Sequence, residues 1–119
     1  MTTVWDEAGW STADVARLTG LTFRQIDYWT RGDTTIAPSI RRAAGIGSNR
    51  RWSTADVAAL HAIADVDRDF ASFDAAMPAA LVTRIWDACH AQPDTDPIVL
   101  NIGTITITLA RRMIEDGDV

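Results

Sequence analysis

The segment WSTADVARL at positions 10–18 recurs as WSTADVAAL at positions 52–60, with eight of nine residues identical. In each copy, a serine stands three positions before an aspartate, which is the spacing of a capping box at the start of a helix. The tryptophan before each serine and the valine after each aspartate have the spacing of a hydrophobic staple. The sequence therefore predicts that helices begin near residues 12 and 54.

The first of these helices is short, and a second helix follows it closely. Gly20 can take the left-handed conformation that ends a helix, and Thr22 can cap a new helix over roughly residues 23–31. Ile26 and Trp29 share one face of that helix. The remaining faces carry Arg24, Gln25, Asp27, Tyr28 and Arg31. Two short helices around a glycine turn form either an ordinary helical hairpin or a helix-turn-helix, whose second helix enters a DNA major groove.

Turn-forming residues dominate positions 32–51, between the second helix and the second copy of the repeat. Two short extended segments, at 35–40 and 49–52, predict a β-hairpin wing. Four arginines lie along it, namely Arg41, Arg42, Arg50 and Arg51. The capped helix from Thr54 follows the wing, with Val57, Leu60 and Ile63 expected to face inward.

Basic residues are concentrated in the first half of the chain. The whole chain has eleven basic and sixteen acidic residues, a net charge of −5. Residues 17–51 reverse this balance, because they contain seven arginines and only two aspartates. This distribution indicates a localised anionic partner rather than a general polycation. Every basic residue is arginine, which is the better forked donor to phosphate and guanine.

The segments VARLTGLTFRQIDYW (15–29) and GSNRRWSTADV (47–57) resemble, in this order, the winged helix-turn-helix of the MerR family of bacterial regulators. The resemblance implies a DNA-binding domain from a bacterium or a bacteriophage. Arg24, Tyr28 and Arg50 fall on positions that commonly meet DNA in that family. The chain departs from the family pattern at Trp52, which replaces the wing tyrosine, and at Asp27, which replaces a common arginine. Asp27 is expected to pair with Arg31 four residues later rather than to contact a cytosine.

The second half of the chain predicts one further helix and a hairpin. Pro78 suits the first turn of a helix over roughly 78–91 that turns Leu81, Ile85 and Cys89 inward. Residues 98–100 and 104–109 predict two strands, and such a hairpin must pack on the body or pair with a second copy because it is marginal alone. The acidic run at 65–69 is interpreted as a solvated turn, since it lacks the glycine and distal glutamate of a calcium loop.

These patterns together predict a mainly α fold with small β elements. Residues 1–68 form a winged helix-turn-helix, and residues 69–119 form a small α+β appendage, with a short helix and a C-terminal β-hairpin, for packing or oligomerisation. The expected function is sequence-specific binding of double-stranded DNA by a repressor-type transcriptional regulator that acts as a homodimer or an array. The DNA-binding residues are expected to be Thr22, Arg24, Gln25, Tyr28, Arg41, Arg42, Arg50 and Arg51.

Two other functions fit the same sequence. An architectural DNA-binding protein, such as a phage recombination directionality factor (excisionase-like), has the same kind of fold and bends DNA. A protein-binding adaptor is favoured by the acidic second half, although the basic stretch opposes it.

Several classes of function are not expected. The sequence has no recognisable catalytic constellation, phosphate loop, metal site or cofactor motif, so an enzyme is not predicted, and no small-molecule effector is indicated. A single cysteine excludes an internal disulfide, and Cys89 is assigned to the core. His61 and His90 are expected at the surface or core edge. Without a signal peptide or an apolar run of membrane-spanning length, the protein is expected in the bacterial cytoplasm, at the nucleoid.

Overall fold

The computed structural model describes residues 9–31, 36–38, 50–92, 95 and 97–110. These residues form four helices and four short strands. The helices are α1 (Thr12–Thr19), α2 (Phe23–Thr30), α3 (Thr54–Ala71) and α4 (Ala79–Ala91), and the strands are β1 (Trp10–Ser11), β2 (Arg51–Trp52), β3 (Ile98–Ile102) and β4 (Ile105–Leu109). The strands form two antiparallel pairs, β1 with β2 and β3 with β4. The predicted fold class is confirmed: the chain is mainly helical, with small strand pairs and a C-terminal hairpin, consistent with a winged helix-turn-helix.

Both helix starts predicted from the repeat are confirmed. The hydroxyl of Ser11 accepts a hydrogen bond from the backbone N–H of Asp14 (3.1 Å), and the Asp14 carboxylate accepts one from the Ser11 N–H (3.4 Å). Ser53 and Asp56 form the same box, with both distances 3.0 Å. The two copies therefore fold alike, because the capping interactions lie within four consecutive residues.

The turn between α1 and α2 also follows the prediction. Gly20 has φ +83°, and its N–H donates to the carbonyl of Ala16 (2.9 Å), which closes α1. The hydroxyl of Thr22 accepts from the N–H of Gln25 (3.0 Å) and opens α2. The helix ends at Thr30, one residue earlier than predicted, and Arg31 is its C-cap.

The two copies of the repeat contact each other. Trp10 on β1 lies opposite Trp52 on β2. The Trp52 indole N–H donates to the Thr12 hydroxyl (3.0 Å), and the Trp10 indole N–H donates to the Thr54 hydroxyl (3.4 Å). Each tryptophan thus binds the first helical residue of the other copy, so the contacts are reciprocal.

This pairing differs from the strand partners expected for the wing. Residues 36–38 form no strand, and Arg51–Trp52 pairs with Trp10–Ser11 instead. Burial explains the difference, since this register pairs two tryptophans whose side chains are both buried in the core. Asn49 and the rest of the predicted wing between 39 and 49 lie outside the described residues.

One hydrophobic cluster joins all four helices and the hairpin. Val57, Leu60 and Ile63 are fully buried on α3, as predicted. The Trp86 ring of α4 meets the Trp52 ring edge-on, with centroids 6.2 Å apart. The other buried members include Val15, Ile26, Trp29, Leu81, Ile85, Cys89, Ile98, Leu100 and Leu109. The hairpin therefore packs on the body, through β3 against α4.

The predicted boundary between residues 68 and 69 falls inside α3. Buried residues on both sides of it belong to the same cluster. The division into two functional parts stays a prediction.

The interpretation of residues 65–69 as a solvated turn is wrong, because α3 continues through them to Ala71. The buried face of α3 extends to Val66, so packing against the core carries the helix past the acidic run. Asp65 pairs with Arg68 one turn later, which places that charge pair on the helix surface.

A buried ion pair joins the start of α3 to the end of α4. The carboxylate of Asp56 is fully buried, and its Oδ1 lies 2.7 Å from Nε2 of His90. The other ring nitrogen, Nδ1, lies 2.8 Å from the carbonyl oxygen of Trp86. Both nitrogens face acceptors, so the doubly protonated imidazolium fits the site. The hydrogen bond to Asp56 is the main reason that the pKa of His90 is raised above its ordinary value. His90 is thus half-buried and paired across two helices, a role that the sequence did not indicate.

Candidate nucleic-acid interface

Helix α2 packs on the body through one face, and its opposite face is exposed to solvent. Ile26 is 0% and Trp29 7% exposed. At about 100° per residue, five side chains fall on a continuous arc of about 140° that excludes these two. Their order around the helix is Phe23, Asp27, Arg31, Arg24 and Tyr28. We call this arc the outer face of α2.

Arg24 and Tyr28 lie one turn apart on the outer face. The Tyr28 side chain is 67% exposed, and Arg24 is also exposed. Within the part of the chain that the structure describes, the Arg24 guanidinium has no hydrogen-bond or ion-pair partner. A free guanidinium can form the two parallel hydrogen bonds that recognise a guanine edge, or it can bind a phosphate. The phenol of Tyr28 can donate to a phosphate oxygen.

The charge of Asp27, which lies between Phe23 and Arg31 on the outer face, is offset by two arginines. Its Oδ1 lies 2.9 Å from the Arg50 guanidinium and its Oδ2 lies 3.0 Å from Nε of Arg31. The hydrogen bond from Arg50 is the largest cause of a pKa below the ordinary value for Asp27. The predicted pair with Arg31 is confirmed. Because both partners offset its charge, the carboxylate presents little repulsion to an approaching polyanion.

The role of Arg50 within the fold was missed by the sequence reasoning. Its side chain is only 11% exposed, and it ties the residue before β2 to α2. No local sequence pattern predicts this contact, because Arg50 and Asp27 are 23 residues apart. The DNA contact that the MerR resemblance implies for Arg50 stays a prediction.

Thr22 and Gln25 form a third capping box at the start of α2. The side-chain oxygen of Gln25 accepts from the Thr22 N–H (2.9 Å), and its amide nitrogen donates to Asp67 on α3 (3.2 Å). Both ends of the Gln25 side chain therefore position α2 on the body. The DNA contacts expected of these two residues stay predictions as well.

The remaining predicted contact residues lie near or beyond the described part of the wing. Arg51 donates to the carbonyl of Gly9 (2.9 Å) and so reinforces the pairing of β1 with β2. Arg41 and Arg42 lie outside the described residues. The structure thus brings Arg24, Tyr28 and Arg31 together on one exposed surface, and it holds Arg50 directly beside that surface.

Two further observations concern the described residues alone. They contain no group of three or more histidine, cysteine or acidic side chains that could hold a metal ion. None of their helices is long and apolar enough to cross a membrane. Cys89 is 4% exposed, and its assignment to the core is confirmed.

Comparison with known proteins gives one partial similarity. No protein-family model matches the chain, and no solved structure matches it. Over 52 residues, the chain is 42% identical to proteins of Mycobacterium bovis and of two strains of Mycobacterium tuberculosis, each described as an uncharacterized HTH-type transcriptional regulator. The matched segment is 44% of this chain but spans only 23% of the length of those relatives.

Proposed function

We propose that the chain is a sequence-specific, double-stranded DNA-binding protein that regulates transcription, with α2 as its recognition helix in the major groove. The observation that carries this proposal is the outer face of α2, where an exposed arginine and an exposed tyrosine lie on a helix fixed by Ile26 and Trp29. The similarity to proteins named as HTH-type regulators supports a helix-turn-helix DNA-binding regulator in general terms. Membership of the MerR family is the finer proposal, and it rests on the sequence resemblance.

In this proposal the residues of the interface have different tasks. Arg24 reads a base edge and Tyr28 binds the sugar-phosphate backbone. Thr22, Gln25, Arg41, Arg42, Arg50 and Arg51 position the protein on the backbone or in the adjoining minor groove. The regulator acts without a catalytic step or a cofactor, in the bacterial cytoplasm.

We further propose that the protein acts as a repressor through a homodimer or an array. The C-terminal hairpin supports this assembly, because Val99 and Ile105 on it are 51% and 60% exposed. Exposed apolar side chains on a two-stranded sheet favour pairing with a second copy.

Replacing Arg24 by alanine is expected to weaken binding to the preferred site by about tenfold or more, as expected for the loss of a bidentate base contact. The preference over random DNA is expected to shrink with it. The thermal midpoint should change little, because an exposed helical arginine loses little packing on replacement by alanine. The measurement is fluorescence anisotropy on a duplex selected from a random pool, with a random duplex alongside.

Arg84→Ala is the matched control for this test. Arg84 is an exposed arginine on α4 whose guanidinium donates to the Asn101 carbonyl (3.3 Å), on an element that packs against α3 and β3. The Arg84→Ala variant should bind both duplexes with the same affinity as the parent. If Arg24→Ala also binds like the parent, the outer face of α2 is not the recognition surface. If the parent binds no duplex DNA at all, the adaptor function is favoured instead.

The arginines at 41 and 42 are expected to contribute to affinity without contributing to sequence preference. Binding should weaken steeply as salt is raised, with a log–log slope of about −0.9 for each phosphate neutralised. Replacing Arg41 and Arg42 together by alanine should flatten the slope by up to about two while leaving the selected sequence unchanged. Titrations at four or more salt concentrations measure both quantities. A shift in the preferred sequence would instead assign base readout to these residues.

A further inference from the structure

Phe23 is a large apolar side chain at the edge of the outer face of α2, and it is exposed. It precedes Ile26 by three residues, which places the two side chains about 60° apart around α2. The Phe23 side chain is 50% exposed, whereas Ile26 is 0% exposed. The ring therefore forms one edge of the outer face of α2, next in sequence to the exposed Arg24.

The position of Phe23 is well defined by its neighbours. It is the first residue of α2, directly after Thr22, whose capping box with Gln25 fixes the entry of the chain into the helix. Gln25 is bound in turn to Asp67 of α3. Because the backbone on both sides is held by hydrogen bonds, the exposed ring has a constrained direction of approach to any ligand of the outer face.

We infer that Phe23 is a specificity-determining residue that contacts the 5-methyl group of a thymine in the major groove. This inference rests on the proposed function. A phenyl ring has no hydrogen-bonding group, and the thymine methyl is the apolar feature that base pairs present in that groove. Phosphates and the other base edges offer only polar contacts, which the arginines and Tyr28 of the same face can satisfy.

The helical geometry also indicates where the thymine lies relative to the base that Arg24 reads. Side chains of consecutive helical residues diverge by about 100°, so Phe23 and Arg24 reach neighbouring positions rather than the same base pair. Successive base pairs are separated by about 3.4 Å along the duplex. The thymine is therefore expected at a different base pair from the guanine that Arg24 reads.

The test replaces each thymine of the selected site, one at a time, by deoxyuridine, which lacks only the 5-methyl group. One replacement is expected to weaken binding of the parent about fourfold, the effect of removing one buried methyl-sized group. Phe23→Ala should bind the original site more weakly and lose no further affinity with the same replacement. Such a double-substitution cycle isolates the contact between the ring and the methyl.

Two variants keep this test decisive. Phe23→Leu retains an apolar side chain and should keep the deoxyuridine effect, even if Phe23→Ala proves too unstable to assay. Phe73→Ala removes another exposed phenylalanine, 82% exposed beyond the end of α3, and should leave affinity and the deoxyuridine effect unchanged. Sequence-specific binding with no Phe23-dependent deoxyuridine effect overturns this inference alone. Absence of sequence-specific duplex binding by the parent overturns the proposed function, and this inference with it.

Discussion

Asp56→Ala is expected to lower the free energy of unfolding by about 3–5 kcal/mol, because it removes two hydrogen bonds to a charged group, each worth about 1.5–3 kcal/mol. Asp56 is fully buried, accepts the Ser53 N–H and lies 2.7 Å from Nε2 of His90. Its loss removes the hydrogen bond that the Ser53 N–H donates in the capping box of α3, and it removes the counter-charge of the imidazolium. Urea denaturation followed by circular dichroism measures the change.

Asp14→Ala is the matched control, because Asp14 occupies the same position in the first copy of the repeat. It forms the same capping box with Ser11, but its side chain is 40% exposed and its ion-pair partner, Arg17, is also exposed. Loss of one hydrogen bond of the capping box and of an exposed ion pair is expected to cost only about 1 kcal/mol. Equal costs for the two variants would show that the pair with His90 contributes nothing beyond the capping box.

The same pair makes stability depend on pH in a defined direction. The pKa of His90 is raised in the folded protein, chiefly by its hydrogen bond to Asp56. The stabilisation is therefore complete below the unfolded histidine value of about 6.5 and is lost as the pH rises through the folded pKa. Unfolding free energies measured between about pH 6 and pH 9 should fall in the parent. The unfolding free energy of His90→Gln should fall less over the same pH range. If it falls as much as that of the parent, the pH dependence comes from another group.

Trp52→Ala is the second change with a large expected effect, a loss of about 3–5 kcal/mol of unfolding free energy. Trp52 is fully buried, meets the Trp86 ring edge-on and donates its indole N–H to Thr12 at 3.0 Å. The variant leaves a cavity between α1, β2 and α4, where neighbouring side chains cannot fully collapse. Since typical domains are stable by only 5–15 kcal/mol, we expect a marginally folded protein.

Trp52→Phe separates packing from hydrogen bonding at this position. The phenyl ring keeps an aromatic contact with Trp86 but leaves the buried Thr12 hydroxyl without its donor, so we expect a smaller loss of roughly 1–3 kcal/mol. Denaturation of both variants under one set of conditions gives the comparison. A loss below about 1 kcal/mol for Trp52→Ala would mean that the contact between the repeats contributes little to the fold.

The sequence by itself determined the elements whose interactions are local. The capping boxes, the left-handed Gly20 and the Asp27–Arg31 pair each join residues no more than four positions apart, so a short window contains both partners. The buried stripes of α3 and α4 follow from helical periodicity in the same way. These signals were sufficient to predict a mainly helical fold with a helix-turn-helix and a C-terminal hairpin.

Only the tertiary structure decided what distant residues do to each other. Asp14 and Asp56 lie in segments that match at eight of nine positions. Asp14 pairs with Arg17, at the one position that differs, whereas Asp56 is buried against His90, 34 residues away. Arg50 binds Asp27 across 23 residues. The physical reason is that the energy of a charge or an aromatic ring depends on its dielectric surroundings and partners. Those surroundings are created by packing between segments, and no single stretch of this sequence contains them.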